Sequence, residues 1–311
     1  MLVVQPLSDP IDGPLGKMPY LGEMLALASG LTWAGAAIFF RLSGQTVPPL
    51  GLNLFKNTLG CALLTLTMVL TGQTLFPGFQ ASDYLLVLAS GAVGIAVSDT
   101  LYFASLNALG AGLAAVVATL YSPFTIALSL IFLKESLNPW QTVGVVLILA
   151  AVLTISYRKE GHSLPRKKLS AGILAGVLAQ VATAVSIVMI KPRLGGWPLL
   201  WVTNMRVASG LFFLAAPILA HPRRKVLLEP LARKANWKFM VPATVLGTYL
   251  SIIAWMGGMK YTQVSVATAL SQLSTVFIFI LAILFLKEKA TPLKVAAVAL
   301  AVAGAILAAG V

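Results

Sequence analysis

Three charged residues lie inside otherwise apolar runs of this 311-residue chain, and they are the places where chemistry could reside. Lys56 and Arg206 each sit about seven residues into a run, roughly 10 Å along a helix axis. A cation at that depth in a bilayer costs about 2.5–3.5 kcal/mol on insertion scales. One explanation is a cavity in which the two attract a carboxylate or a phosphate. The other is snorkelling, because their long stems can carry the charge to the interface. Asp99 is the only acidic residue well inside a run, 16 residues and roughly 24 Å beyond Asp83. It could hold a proton for coupling or pair with a cationic group. Its structural alternative is a partner for a polar neighbour near the far interface.

Polar and aromatic residues gather in the same runs. Trp33, Tyr102, Tyr121, Gln180, Trp255 and Gln272 are the candidates for contact with a solute, beside Lys56 and Arg206. Thr32, Ser122, Asn204, Tyr249, Ser251, Ser271, Ser274 and Thr275 belong to the same group of intramembrane polar residues. Polar groups in hydrocarbon turn inward, where they bond a solute or glue helix to helix. Trp140 and Trp237 fit the interfacial belt instead. Pro123 falls in the middle of the fourth run, removes one backbone hydrogen bond, and is a hinge candidate. No His/Cys/carboxylate cluster has metal-ligand spacing, and no nucleophile elbow, phosphate-cradling loop or H-E-x-x-H occurs. No catalytic residue, metal or cofactor is therefore expected. The single cysteine, Cys61, cannot form an internal disulfide.

The elements that must position these residues follow from composition. Apolar residues make up 59% of the chain and charged residues 10%, with mean hydropathy +0.92. A soluble globule needs a larger polar skin, and disordered chains are polar, so both are excluded. Continuous apolar runs without period-two alternation predict helices and not a barrel. Ten spans are read, at 22–40, 50–70, 84–106, 113–133, 140–157, 171–190, 199–219, 239–259, 264–286 and 293–309. Residues 1–19 read as a tail, and 158–170 as a basic linker between halves 20–157 and 171–311. The net charge of +13 sits mostly in loops, which points to anionic lipid headgroups as partner and away from nucleic acid.

The chain repeats itself. Phe132-Leu133-Lys134-Glu135 returns as Phe285-Leu286-Lys287-Glu288, and Asn138-Pro139 as Thr291-Pro292, each 153 residues on. At that offset Ser98 meets Ser251, Tyr102 meets Trp255, and Phe124 meets Phe277. Pro48 and Lys56 meet Pro198 and Arg206 at an offset of 150. Five spans per half is an odd number, so the second half enters from the opposite face. Such inverted repeats build secondary transporters, with substrate bound near the midplane between halves.

With Trp33 in the first span, a basic residue early in spans two and seven, and F-L-K-E closing spans four and nine, the chain resembles the ten-helix EamA-like branch of the drug/metabolite transporter superfamily. The resemblance covers about residues 20–310. It implies a multi-pass inner (plasma) membrane transporter of a small molecule, with exporters of amino acids and other metabolites among its members. Ten-helix relatives carry nucleotide sugars or organic phosphates. Four-helix multidrug members use a carboxylate in mid first helix; here that helix has only Glu23, at its edge. Orientation draws conflicting signals. The loops on the side opposite the termini hold 15 Lys+Arg, against five on the terminal side. By the positive-inside rule that puts the termini outside. The resemblance implies cytoplasmic termini, which is the expectation adopted. Ala297, Ala301 and Ala305 form a small-residue ridge that packs within the chain or, alternatively, against a second protomer as a homodimer.

Overall fold

The structure is a computed structural model that describes residues 20–133, 139–156, 165–220, 222, 224–261, 267, 270, 271 and 273–308. Gln272 and Glu135 lie outside the described residues. Among those described there is no strand. The first half contains α1 (Leu21–Ser43), α2 (Pro49–Leu70), α3 (Ala81–Leu109), α4 (Ala111–Ala118), α5 (Tyr121–Leu133) and α6 (Pro139–Ser156). The second contains α7 (Arg166–Leu194), α8 (Leu199–Ala220), a short surface helix α9 (Arg224–Ala232), α10 (Asn236–Tyr261), α11 (Ser274–Leu286) and α12 (Pro292–Ala308).

Local chemistry sets several boundaries. Pro49, Pro139 and Pro292 each stand at the first helical position, where the fixed φ suits the helix and the missing N–H would be unpaired anyway. Six helices (α1, α2, α3, α7, α8, α10) are long and apolar enough to cross a membrane by length and composition, and shorter apolar helices accompany them. Large apolar side chains stand exposed on the outside, among them Leu66, Ile131, Phe132, Phe212, Leu284 and Phe285. In lipid that exposure costs nothing, because hydrocarbon is their solvent. The molecule is an all-helical polytopic membrane protein.

Several sequence boundaries need correction. The fourth span is not one helix. It breaks at Thr119–Leu120, where N–H groups bond three residues back, and resumes as α5. Pro123 is consequently not mid-helix. It lies in the first turn of α5, where a missing N–H leaves nothing unpaired. The basic linker is shorter than expected, because Pro165 caps α7 and Arg166, Lys167 and Lys168 form its first turn. Between the seventh and eighth spans the chain also forms a helix, α9. At 29 residues, α3 and α7 each exceed the roughly 20 residues that cross a bilayer, so their ends project beyond the apolar segments.

The repeat extends to backbone irregularities. A π-helical turn occupies Ala92–Val97 in α3 and another Val245–Ser251 in α10, 153 residues apart. The helices that end the fourth and ninth spans, α5 and α11, open at Tyr121 and Ser274, again 153 apart. The last helices of the two halves, α6 and α12, pack tightly together. Gly304 lies against Gly144 and Ile148, and Ala297 and Ala301 are fully buried within the chain. That part of the small-residue ridge is covered by the protein itself and is not free for a second protomer.

Candidate functional site

A cavity of about 210 Å³ lies between the two halves. The elements that enclose it are α1, α2, α3 and α10 with their π-helical turns, α4, α5, α7, α8 and α11. Lys56, Arg206, Asp99, Trp33, Tyr102, Tyr121, Gln180 and Trp255 all line it. Both cations point inward and are buried, at 4% and 3% exposure, which rules out the snorkelled arrangement.

Pseudo-symmetric contacts frame the cavity. Ser98 of α3 donates to the Ala179 carbonyl of α7 at 2.9 Å, and Ser251 of α10 donates to the Ser29 carbonyl of α1 at 3.1 Å. Ser98 also shares a hydrogen bond with Thr183 at 2.6 Å. Each half thus reaches across to the first helix of the other. Glycines permit that approach. A side chain at Gly94 would strike Ser186 and the Arg206 guanidinium; its pseudo-equivalent Gly247 packs against Ala36 and Phe40.

The π-helical turn of α3 frees carbonyls that must be bonded in a dry interior. Asn53 of α2 does this. Its amide donates to Ile95 O at 2.9 Å and to Thr100 Oγ1 at 2.8 Å, and its own oxygen accepts from Asn57 at 2.8 Å. Next to this lattice the Lys56 ammonium binds Asp99 Oδ2 at 2.6 Å and lies 5.8 Å from the Phe103 ring centre. Asp99 is therefore the partner of Lys56, close to the structural alternative of the sequence reading, though it still faces the cavity.

Arg206 is placed differently. Its Nη1 approaches Met256 Sδ at 3.5 Å and its Nη2 the Ser186 hydroxyl at 3.3 Å, while Cζ lies 6.0 Å from the Trp255 ring centre. No carboxylate among the described residues is within ion-pair distance of it. Its buried Nε, the Tyr121 hydroxyl and the Thr248 hydroxyl have no hydrogen-bond partner among the described residues. Two aromatic pairs complete the walls: Trp33 with Tyr102 at 5.6 Å, and Tyr121 with Trp255 at 6.4 Å. Such a site can hold an anionic group at Arg206 and an apolar or cationic group against ring faces.

Other intramembrane polar residues do structural work. Asn204 bonds Thr65, joining α8 to α2, and Tyr249 bonds Thr67 at 2.7 Å. Thr32 bonds its own helix backbone. Pro123 is buried but does not line the cavity. Sequence reasoning passed over Asn53, Thr183, Gly94 and Thr248. Only Asn53 carried a local signal, the run of polar residues Asn53, Lys56 and Asn57 in the first turns of α2.

Two repeated helical halves around a buried, positively charged cavity are the architecture of membrane transporters. The EamA-like transporter family model matches residues 20–157 and 170–310, and the chain belongs to that family, within the drug/metabolite transporter superfamily. No curated protein matches. A solved structure described only as a crystal structure of a protein is 22% identical, with a TM-score of 0.68 over 92% of this chain and 96% of that one. That likeness is one of fold.

Proposed function

We propose that the protein exports a small zwitterionic metabolite, first of all an amino acid, across the inner (plasma) membrane by alternating access, the two halves rocking about the central cavity. The observation that carries this reading is the cavity between the halves, with two cations, one carboxylate and four aromatic side chains on its walls. An amino acid presents a carboxylate for Arg206 and an ammonium for ring faces. A nucleotide sugar or organic phosphate would need both cations free, whereas Lys56 is bound to Asp99. The small volume also favours a small solute. Energy would come from a solute or proton gradient, with Asp99 as the proton-binding candidate, and both termini would lie in the cytoplasm.

The test is flux in proteoliposomes with a panel of radiolabelled amino acids and phosphorylated metabolites. Saturable uptake of one or more amino acids, lost in Arg206→Met and in Lys56→Met, is the expected result. Flux of phosphorylated compounds alone would replace the amino-acid reading with the anionic one. Absence of flux for every compound would favour a scaffold or receptor.

A further inference from the structure

The two halves treat their matched cations unequally. Lys56 and Arg206 are equivalent at the 150-residue offset of α2 and α8. Around Lys56 stand Asp99, Phe103 and Asn57. The equivalents around Arg206, by the offsets of 153 and 150, are Ile252, Met256 and Val207. A carboxylate, a ring and an amide are thus replaced by a sec-butyl group, a thioether and an isopropyl group. Ile252 follows the π-helical turn of α10 as Asp99 follows that of α3, and it lines the same cavity as Arg206. A buried cation without a counter-charge is strongly disfavoured. Yet Arg206 is buried, with an unpartnered Nε and with the unpartnered hydroxyls of Tyr121 and Thr248 on the same cavity wall.

We propose that the substrate's carboxylate is the counterion the second half lacks, seated against Arg206 as Asp99 is seated against Lys56. This rests on the transport reading above and deepens it. It makes a carboxylate obligatory in the substrate and assigns Ile252 a role, since the absence of an acid there leaves the seat open. The tyrosine and threonine hydroxyls donate to the same carboxylate. The amino group and side chain face Trp33, Trp255 and Tyr102.

The experiment uses purified full-length protein in detergent, with Ile252→Asp and the uncharged isostere Ile252→Asn. The probes are acetate, L-leucine and L-phenylalanine against the amines isoamylamine and phenethylamine. Melting temperature and tryptophan fluorescence are the readouts. Carboxylate probes are expected to raise the wild-type melting temperature, and the amines to leave it unchanged. Without ligand, Ile252→Asp is expected to melt above Ile252→Asn, because it supplies the missing counterion. It should bind the carboxylates roughly thirtyfold or more weakly than Ile252→Asn does. Amines that act as well as carboxylates, carboxylates that leave the wild type unmoved, or an Asp variant that melts no higher than the Asn variant would each overturn the proposal. If Ile252→Asp does not fold, Arg206→Met serves: its melting temperature should hold while the carboxylate response disappears, and a retained response overturns the idea. Carboxylate binding without flux in proteoliposomes would sink the transport reading and leave the seat standing. Amino-acid flux untouched by Ile252→Asp would do the reverse.

Discussion

Lys56 and Asp99 share one short ion pair in an interior where neither is well hydrated. Breaking such a pair from one side leaves an uncompensated buried charge, at about 3–5 kcal/mol. Asp99 keeps 22% side-chain exposure, so the cost belongs at the lower end of that range. Asp99→Asn is accordingly expected to lower the melting temperature of the purified protein, and Lys56→Met/Asp99→Leu to recover most of the loss. A double variant no more stable than Asp99→Asn would show that the pair is not a stabilising unit. Gly94 gives a second expectation. A Cβ there meets Ser186 and the Arg206 Nη2, so Gly94→Val should displace the guanidinium. Flux should fall at least tenfold while abundance in the membrane stays within twofold, in line with the reach of a 1 Å misplacement at a site. Normal flux in Gly94→Val would argue against Arg206 as a substrate contact.

At the scale of elements, the broken fourth span is held at its start by a contact from the other half. Glu288 accepts the Ala111 N–H at 2.8 Å and pairs with Lys294 at 3.2 Å, so an acidic side chain caps the N-terminus of α4. Gly110, with φ 86° and ψ 169°, occupies a region that only glycine enters freely. Glu288→Ala should cost about 1 kcal/mol as a lost cap, and Gly110→Ala about 1–3 kcal/mol as strain. Chemical denaturation of the detergent-purified variants measures both. The second should exceed the first, because a Cβ on Gly110 also meets Glu288 Oε1 at 2.8 Å. The π-helical turn of α3 has its own support in Asn53. Asn53→Leu leaves the Ile95 carbonyl without that donor, a loss of about 1–3 kcal/mol.

At the scale of the whole molecule, the two halves close on each other through unequal contacts. On the terminal side Asp83 at the start of α3 binds Arg193 at the end of α7, 2.7 Å apart. On the opposite side Thr46, after α1, bonds Asn236 at the start of α10 at 2.9 Å. Asp83 and Asn236 are equivalent at the 153-residue offset. The exposed Arg193 makes the ion pair worth little in stability. Orientation decides which compartment each of these contacts faces. A fluorescent reporter fused after Val311 is expected to be bright in the cytoplasm, and an alkaline phosphatase fused there inactive. Active phosphatase at that position would place the 15-cation loop face in the cytoplasm and reverse the assignment.

Ten apolar runs, their inverted repetition and the matched depth of two cations were legible in the residues alone, because a hydrocarbon core imposes length and continuity on each span separately, whereas the choice between burial and snorkelling was not. Those demands act along the chain and survive in a one-dimensional string. Trp33, Tyr102, Tyr121, Gln180 and Trp255 were legible for a related reason: polar groups in such runs must turn inward, and there is one interior to turn to. The partner of each cation was not legible. Lys56 meets Asp99 across 43 positions, and the position that matches Asp99 in the second half holds Ile252, which lines the same cavity as Arg206. The break at Thr119–Leu120 and the two π-helical turns were also hidden, and the turn of α3 is bonded by Asn53 of another helix, a contact that no local spacing announces. Whether a buried charge is compensated depends on what stands within 4 Å of it, and in this protein the tertiary fold alone selects that neighbour.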